Sequence, residues 1–452
     1  MDVLNNIALP QSTEHFHLLL LVYNIVMVFL LPYLALVVGS IVAANVLDRR
    51  AARRKDALGG MLARRLAGIA LPDRTTFVFL AVLPAAAVVF LFIQMFQGTT
   101  AIAAGMAALG TLLLIAGGVA AFMFKVTFTI SDIVVLAGGR GEAAAPPPQP
   151  PDVGLFLAAA RDTHRKAGTW SAWLLVIASF CFVGASTIGM NPGNWISIDG
   201  LFAFVFSLDV WVDLSVFAAA AAAMAGAGLL FSRFVWSRAD ETVQAEDDFL
   251  RTTAVRLATA GLLVLPLGML ANAALLPSSA LSGMVYVLVA LAFGLIALGL
   301  HFLYAFVRSG QRIYISLLMV MIIGALAFQV TKNQVALHIA TADHAATLAG
   351  VYDRKTDELR TSLGVVAKQM TGEDIYNARC SACHLFDQKK VGPPYKEVIV
   401  KYAGRKPALI AFVLNPVKVN PAYPNMPAQG LRPSEADSIA TYLLGRVVGK
   451  SQ

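Results

Sequence analysis

Eight separate apolar stretches dominate this chain, each near the roughly 20 residues needed to cross about 30 Å of hydrocarbon. They fall at 17–42, 75–97, 100–125, 168–189, 214–236, 255–275, 281–307 and 313–330. Backbone amides inside a bilayer find no water to bond, so such stretches fold as helices and the chain is expected to be a polytopic membrane protein. Of its 452 residues 58% are hydrophobic and only 14% charged, which excludes a water-soluble globule for the greater part of the chain. The expected fold class is all-α, with about eight transmembrane helices and a small C-terminal domain. The first apolar run has no basic flank before it and is too long for a signal-peptide core, so it is read as a retained span.

Lysine and arginine accumulate in cytoplasmic loops, which orients the spans. The first connection carries Arg49, Arg50, Arg53, Arg54, Lys55, Arg64, Arg65 and Arg74, and the segment before the first span carries Asp2 and Glu14 with no basic residue. The N-terminus is therefore expected outside. Threading onward puts the basic segments 140–166 and 233–251, and Arg308 with Arg312, inside; the eighth span exits outward. A Pro-rich run at 143–151 divides the spans. The expected organisation is 1–138 for three spans, 139–167 for an inner Pro-rich linker and basic flank, and 168–331 for five spans. An amphipathic outer linker helix at 332–365 and a C-terminal domain at 366–452 follow.

That last domain holds Cys380-Ser381-Ala382-Cys383-His384. Two thiols three residues apart on one turn can form thioethers to the two vinyl groups of a single haem, and the adjacent histidine is placed beneath the iron. A redox C-x-x-C or half of a zinc site are the alternatives. Zinc needs further Cys or His nearby, and the remaining cysteine, Cys181, lies in an apolar run. Downstream stand Val391-Gly392-Pro393-Pro394, then Tyr423-Pro424-Asn425-Met426-Pro427, then a last amphipathic stretch.

On these motifs the last 85 or so residues resemble class I cytochrome c. The resemblance implies one covalent haem c, His384 and Met426 as iron ligands, and a Pro393 carbonyl that orients the histidine. Met370 is the rival sixth ligand, but it precedes the motif and lacks flanking prolines. The resemblance also implies a helix ending in the motif, with Gly372 and Tyr376 meeting a terminal helix through Tyr442 and Leu443. Haem attachment in this family occurs on the outer side of an energy-coupling membrane, the side to which the span count delivers the motif. The expected location is the bacterial cytoplasmic membrane, with the N-terminus and the haem domain on the periplasmic side.

From Val351 onward fifteen basic residues face nine acidic ones. This is either a solvated face or a docking surface for an acidic soluble electron carrier; location excludes nucleic acid. Within the spans the sequence shows no interior Asp or Glu, which argues against an ion pump or oxygen-reducing site built from this chain alone. His301 is set toward the inner side of the seventh span. His15, His17, His338 and His344 gather near the outer surface, where a haem b or metal is the alternative to solvated histidines. His164 is assigned to the inner basic flank.

The membrane part bears a faint similarity to the haem-bearing, quinol-oxidising subunit of cytochrome bd oxidases. The similarity rests on His15 or His17 at the outer mouth of the first span and on the turn Gly189-Met190-Asn191-Pro192-Gly193-Asn194-Trp195. The Gly-Arg-Gln-Pro-Trp motif, the long quinol loop and the membrane glutamates of that subunit have no counterpart. The leading expectation is an electron-transfer subunit carrying single electrons through a His/Met haem c. It would connect a membrane respiratory complex, quinol-linked or otherwise, to an outer-side redox partner. The alternative is a quinol:cytochrome c oxidoreductase or bd-like oxidase subunit that also binds haem b and quinone.

Overall fold

The computed structural model describes residues 10–97, 99, 102–138, 151–198, 200–236, 244–363, 370–421, 423–424 and 426–447. Most of the Pro-rich run, residues 364–369 before the haem motif, and Asn425 lie outside the described residues. The chain divides into two compact units, Met1–Ala346 and Thr347–Gln452.

The first unit is helical throughout its described residues. Its principal elements are α1 (Thr13–Arg54), α2 (Ala57–Ala70), α3 (Arg74–Met95), α4 (Ile102–Gly138), α5 (Pro151–Met190), α6 (Leu208–Phe231), α7 (Gln244–Ala274), α8 (Gly283–Ser309) and α9 (Ile313–Ala340). Among the described residues eight helices, all of these but α2, are long and apolar enough to cross a membrane. Local chemistry sets their ends. Ser12 caps α1 by accepting from the His15 amide, and Lys55 closes it in the left-handed region at φ 54°. Asp56 and Asp73 accept from the Leu58 and Thr76 amides to start α2 and α3. Gly310, at φ 71°, ends α8 without the steric cost a side chain would carry.

Two helix boundaries differ from the apolar stretches, and the difference corrects a sequence expectation. α6 begins at Leu208, so Asp213 belongs to the helix and not to an outer connection. α9 continues to Ala340, so Lys332 lies on it with no exposed surface. The long helices therefore carry a carboxylate, Asp213, and an ammonium, Lys332, just beyond the ends of the apolar stretches. Hydropathy placed the boundaries at these charges because it scores a residue without seeing its partners. His164 stands among the basic residues Arg49, Arg161, Arg165 and Lys166, as expected, but its ring is held more closely than a flank residue needs. It packs against Phe124 and Phe128, with Nδ1 2.7 Å from the Thr127 hydroxyl and Nε2 3.2 Å from the Asp48 carboxylate.

The second unit contains most of α10 (Ala342–Ser362), then α11 (Gly372–Ile375), α12 (Lys406–Leu414) and α13 (Pro433–Val447). Thr371 and Asp374 form a reciprocal capping box at the start of α11. The helix then widens into a π-turn, Tyr376–Cys380, in which the Ser381 amide bonds the Tyr376 carbonyl at 2.8 Å. α13 lies directly on α11 because residue 372 is glycine. A Cβ there would stand 2.4 Å from both the Ser438 carbonyl oxygen and the Tyr442 Cβ. The core between them is formed by Ile375, Tyr376, Tyr395, Leu409, Ile439 and Leu443. Burying each aliphatic side chain there contributes about 2 kcal/mol.

Candidate haem site

The π-turn delivers Cys380 to the end of α11. A tight turn follows, in which the Cys383 and His384 amides bond the Cys380 carbonyl at 3.1 and 2.9 Å. The chain then doubles back: the Val391 and Gly392 amides donate to the Cys383 carbonyl at 3.1 and 2.9 Å. This return brings residues 391–393 against the histidine ring. A Cβ on Gly392 would lie 2.2 Å from His384 Cε1, so only glycine lets the backbone pass. Cys380, Cys383, His384, Pro393 and Met426 line one cavity, together with Arg379, Tyr395 and Gln429. Met370, the rival ligand, is exposed and is not part of that lining.

The imidazole is fixed from three directions. His384 Nδ1 is 2.9 Å from the Pro393 carbonyl, which can only accept, so Nδ1 carries the hydrogen and Nε2 presents its lone pair. The ring stacks on Tyr395 with centroids 4.8 Å apart and planes 8° from parallel. The His384 carbonyl accepts from the Tyr376 hydroxyl at 3.2 Å. On the opposite side, Arg379 Nη1 donates to the Gln429 carbonyl at 3.1 Å and ties the segment after Met426 to the motif helix. Burial pushes the Cys380 thiol up from its ordinary range, against a smaller opposing effect of the Tyr395 hydroxyl. Burial also raises the Tyr395 phenol. Both are therefore neutral at pH 7.

Two thiols, an imidazole with a free Nε2 and a thioether lining one cavity are the donor set that a covalently attached haem with two protein ligands would require. The residues present fit that group.

A second polar cluster, which sequence reasoning missed, lies in the membrane unit. Asn272 on α7 donates through Nδ2 to Asp213 Oδ1 on α6, and its Oδ1 accepts from Lys332 Nζ on α9. Gln329 Nε2 also donates to Asn272 Oδ1 at 3.2 Å, and Thr187 on α5 donates to Asp213 Oδ2 at 2.6 Å. One carboxylate, two amides, a hydroxyl and an ammonium thus join four helices. A signal was available: Asp213, Asn272 and Lys332 each stand near an end of an apolar stretch, where the hydropathy count stopped.

His17, His338 and His344 divide between two settings. His17 and His338 meet edge to face at 5.0 Å. His344 packs between Phe16 and Trp195 and donates from Nε2 to the Met95 carbonyl at 3.0 Å. His301 is exposed beside Phe302. Among the described residues no group of three or more His, Cys, Asp or Glu side chains is arranged to hold a metal ion.

Residues 367–443 match the family described as cytochrome C oxidase, cbb3-type, subunit III. Three curated proteins are similar to short stretches of the chain. Cytochrome c-551 of Azotobacter vinelandii is 53% identical over 36 residues, 8% of this chain and 44% of that protein. Cytochrome c-551 of Pseudomonas denitrificans is 33% identical over 79 residues, 16% of this chain and 95% of that protein. Cytochrome c-552 of Hydrogenobacter thermophilus is 40% identical over 70 residues, 14% of this chain and 69% of that protein. The chain thus spans less than half of the first of these relatives and nearly all of the second. No solved structure matches the chain.

Proposed function

We propose, on the premise that the C-terminal part of this chain belongs to the c-type cytochrome family, that the protein is the electron-carrying subunit of a membrane respiratory complex. It is a c-type cytochrome with covalently bound haem c, joined to a multi-pass membrane body. The haem supplies a one-electron couple, and the chain supplies attachment, ligation and burial.

In this reading Cys380 and Cys383 give the two thioethers. His384 ligates through Nε2 while the Pro393 carbonyl holds its Nδ1 hydrogen and fixes the ring plane. Met426 completes the coordination; a soft thioether favours ferrous iron and so a high potential. The observation that carries the reading is the convergence of these five residues on one cavity, with the imidazole already in the required tautomer. The basic segment 140–166 and the run from Arg49 to Arg54 support an outer, periplasmic haem domain in a bacterial inner membrane. The excess of basic residues after Val351 suits an acidic soluble partner.

The membrane polar cluster favours one further reading: a quinol:cytochrome c oxidoreductase or bd-like subunit that binds haem b or quinone. Reduced-minus-oxidised spectra and haem extraction on the purified chain separate the two. Haem c alone supports the carrier, whereas b-type bands in the isolated chain move the assignment to the second. His384→Ala must abolish the haem-dependent electron flux; unchanged flux refutes both.

A further inference from the structure

A cleft of about 600 Å³ opens among the helices of the membrane unit, lined mainly by α1, α6 and α7. Its walls are apolar, with Val38, Val42, Leu214 and Leu257 among them, and Ala218 and Ala222 leave the room. Two charged residues stand in the lining, Arg50 of α1 and Arg256 of α7, beside the hydroxyls of Ser179 and Thr253, and both arginines are exposed. Neither has a hydrogen-bond or ion-pair partner among the described residues. Neighbouring arginines do: Arg233 pairs with Asp247, Arg251 bonds the carbonyls of Phe306 and Val307, and Arg49 bonds Thr169.

The depth of the cleft identifies what fills it. From Val38 to Arg50, α1 advances about 18 Å at 1.5 Å per residue. That is close to one leaflet, half of the roughly 30 Å hydrocarbon core. A peptide laid against these walls would lose its backbone hydrogen bonds to water and find no replacement. A hydrocarbon chain loses nothing. Guanidinium groups match the geometry of phosphate oxygens and are weakly hydrated, so they bind phosphate in a site that is partly dry.

We propose that this cleft binds one anionic glycerophospholipid, with its phosphate on Arg50 and Arg256 and an acyl chain between α1 and α6. This site is separate from the haem and independent of the electron-transfer reading. It places a structural lipid at the basic end of the bundle, where a cationic rim attracts anionic headgroups.

The test is native mass spectrometry of the full-length holoprotein, delipidated and titrated with phosphatidylglycerol or phosphatidylcholine. One phosphatidylglycerol is expected to bind saturably, and more tightly than phosphatidylcholine. R50Q/R256Q is expected to weaken phosphatidylglycerol about thirtyfold, at about fivefold per cation, and to leave phosphatidylcholine unchanged. R53Q/R54Q, two cations of α1 outside the cleft, serves as the charge-matched control and is expected to retain binding. A218W, which fills an exposed position in the lining, is expected to weaken both lipids. Equal affinity for the two lipids overturns the proposal, as does an R53Q/R54Q loss as large as that of R50Q/R256Q. So does undiminished binding in A218W. All four positions of the charge variants are exposed arginines, so those variants test the idea even where A218W fails to fold.

Discussion

Asp213→Ala is expected to destabilise the membrane unit by about 3–5 kcal/mol, far above the cost of an ordinary membrane hydrogen bond of about 0.6 kcal/mol. Lys332 has no exposed surface, and its described partner is Asn272. Asn272 can accept that bond only while its amide hydrogens are turned toward Asp213. Removing the carboxylate deprives Thr187 and Asn272 of an acceptor and leaves a buried ammonium without a counter-charge. The companion variants fix the interpretation. Lys332→Met alone removes the cation and leaves Asp213 with Thr187 and Asn272, so about 2–3 kcal/mol is expected. Asp213→Asn with Lys332→Met removes both charges and keeps volume and most bonds, and should lie within about 1 kcal/mol of the parent. The assay is unfolding in mixed micelles followed by tryptophan fluorescence, with Asp213→Asn alone added to close a double-mutant cycle with Lys332→Met. A loss below about 1 kcal/mol for Asp213→Ala, or a double variant worse than both singles, would refute the claim that Lys332 is stabilised through Asp213.

Other outcomes follow from the second unit and from His344. Met426→Ala should leave haem covalently attached but lower the midpoint potential by on the order of 0.1 V, within the roughly 0.8 V that axial ligation spans; an unchanged redox titration would assign the sixth ligand elsewhere. Gly372→Ala should cost about 1–3 kcal/mol by driving α13 off α11, read as a lowered melting temperature of the haem unit. Burial pushes the His344 imidazole below the usual histidine range, partly offset by its bond to the Met95 carbonyl. Its contribution is therefore full above the unfolded value near 6.5 and is lost as pH falls through the folded one; His344→Phe should flatten the melting temperature between about pH 7 and 5. Burial raises the Glu435 carboxyl, but the Arg432 amide and guanidinium outweigh it, and the net direction is down. The start of α13 should accordingly loosen as pH falls below the ordinary carboxylate range, by about 1 kcal/mol or less because the pair is half exposed; Arg432→Ala should remove that dependence.

The haem unit was legible because its chemistry is local. Cys380, Cys383 and His384 are neighbours in sequence, and Gly392 and Pro393 follow within one loop; that the ring and the Pro393 carbonyl would meet was implied by the resemblance to class I cytochrome c. The approach of Gly372 to Tyr442 came from the family resemblance. The π-turn at Tyr376–Cys380 was not legible, since one extra residue in a turn leaves no periodic mark over five positions. The membrane spans were countable by hydropathy, but their polar content was not. Asp213, Asn272 and Lys332 are satisfied only by residues on other helices, and a sliding sum that treats each helix alone ends the span where the pairing begins. The surroundings of His164 were half legible: its place among Arg161, Arg165 and Lys166 was, while the packing of its ring on Phe124 and Phe128 of another helix was not.

The polar clasp between α6, α7 and α9 also sets a schedule for making the protein. About 120 residues separate Asp213 from Lys332; at roughly 5–20 residues per second the ribosome needs about 6–24 s to bridge them. Through that interval α6 carries a carboxylate whose transfer into lipid costs up to about 3 kcal/mol at the bilayer centre. The insertion machinery must therefore shelter α6 and α7 until α9 emerges, or let α6 ride high in the membrane and sink once its cation arrives. On the first route the last four spans would enter the bilayer as a cohort, and on either route a chain truncated before Lys332 is expected to leave Asp213 without its cation.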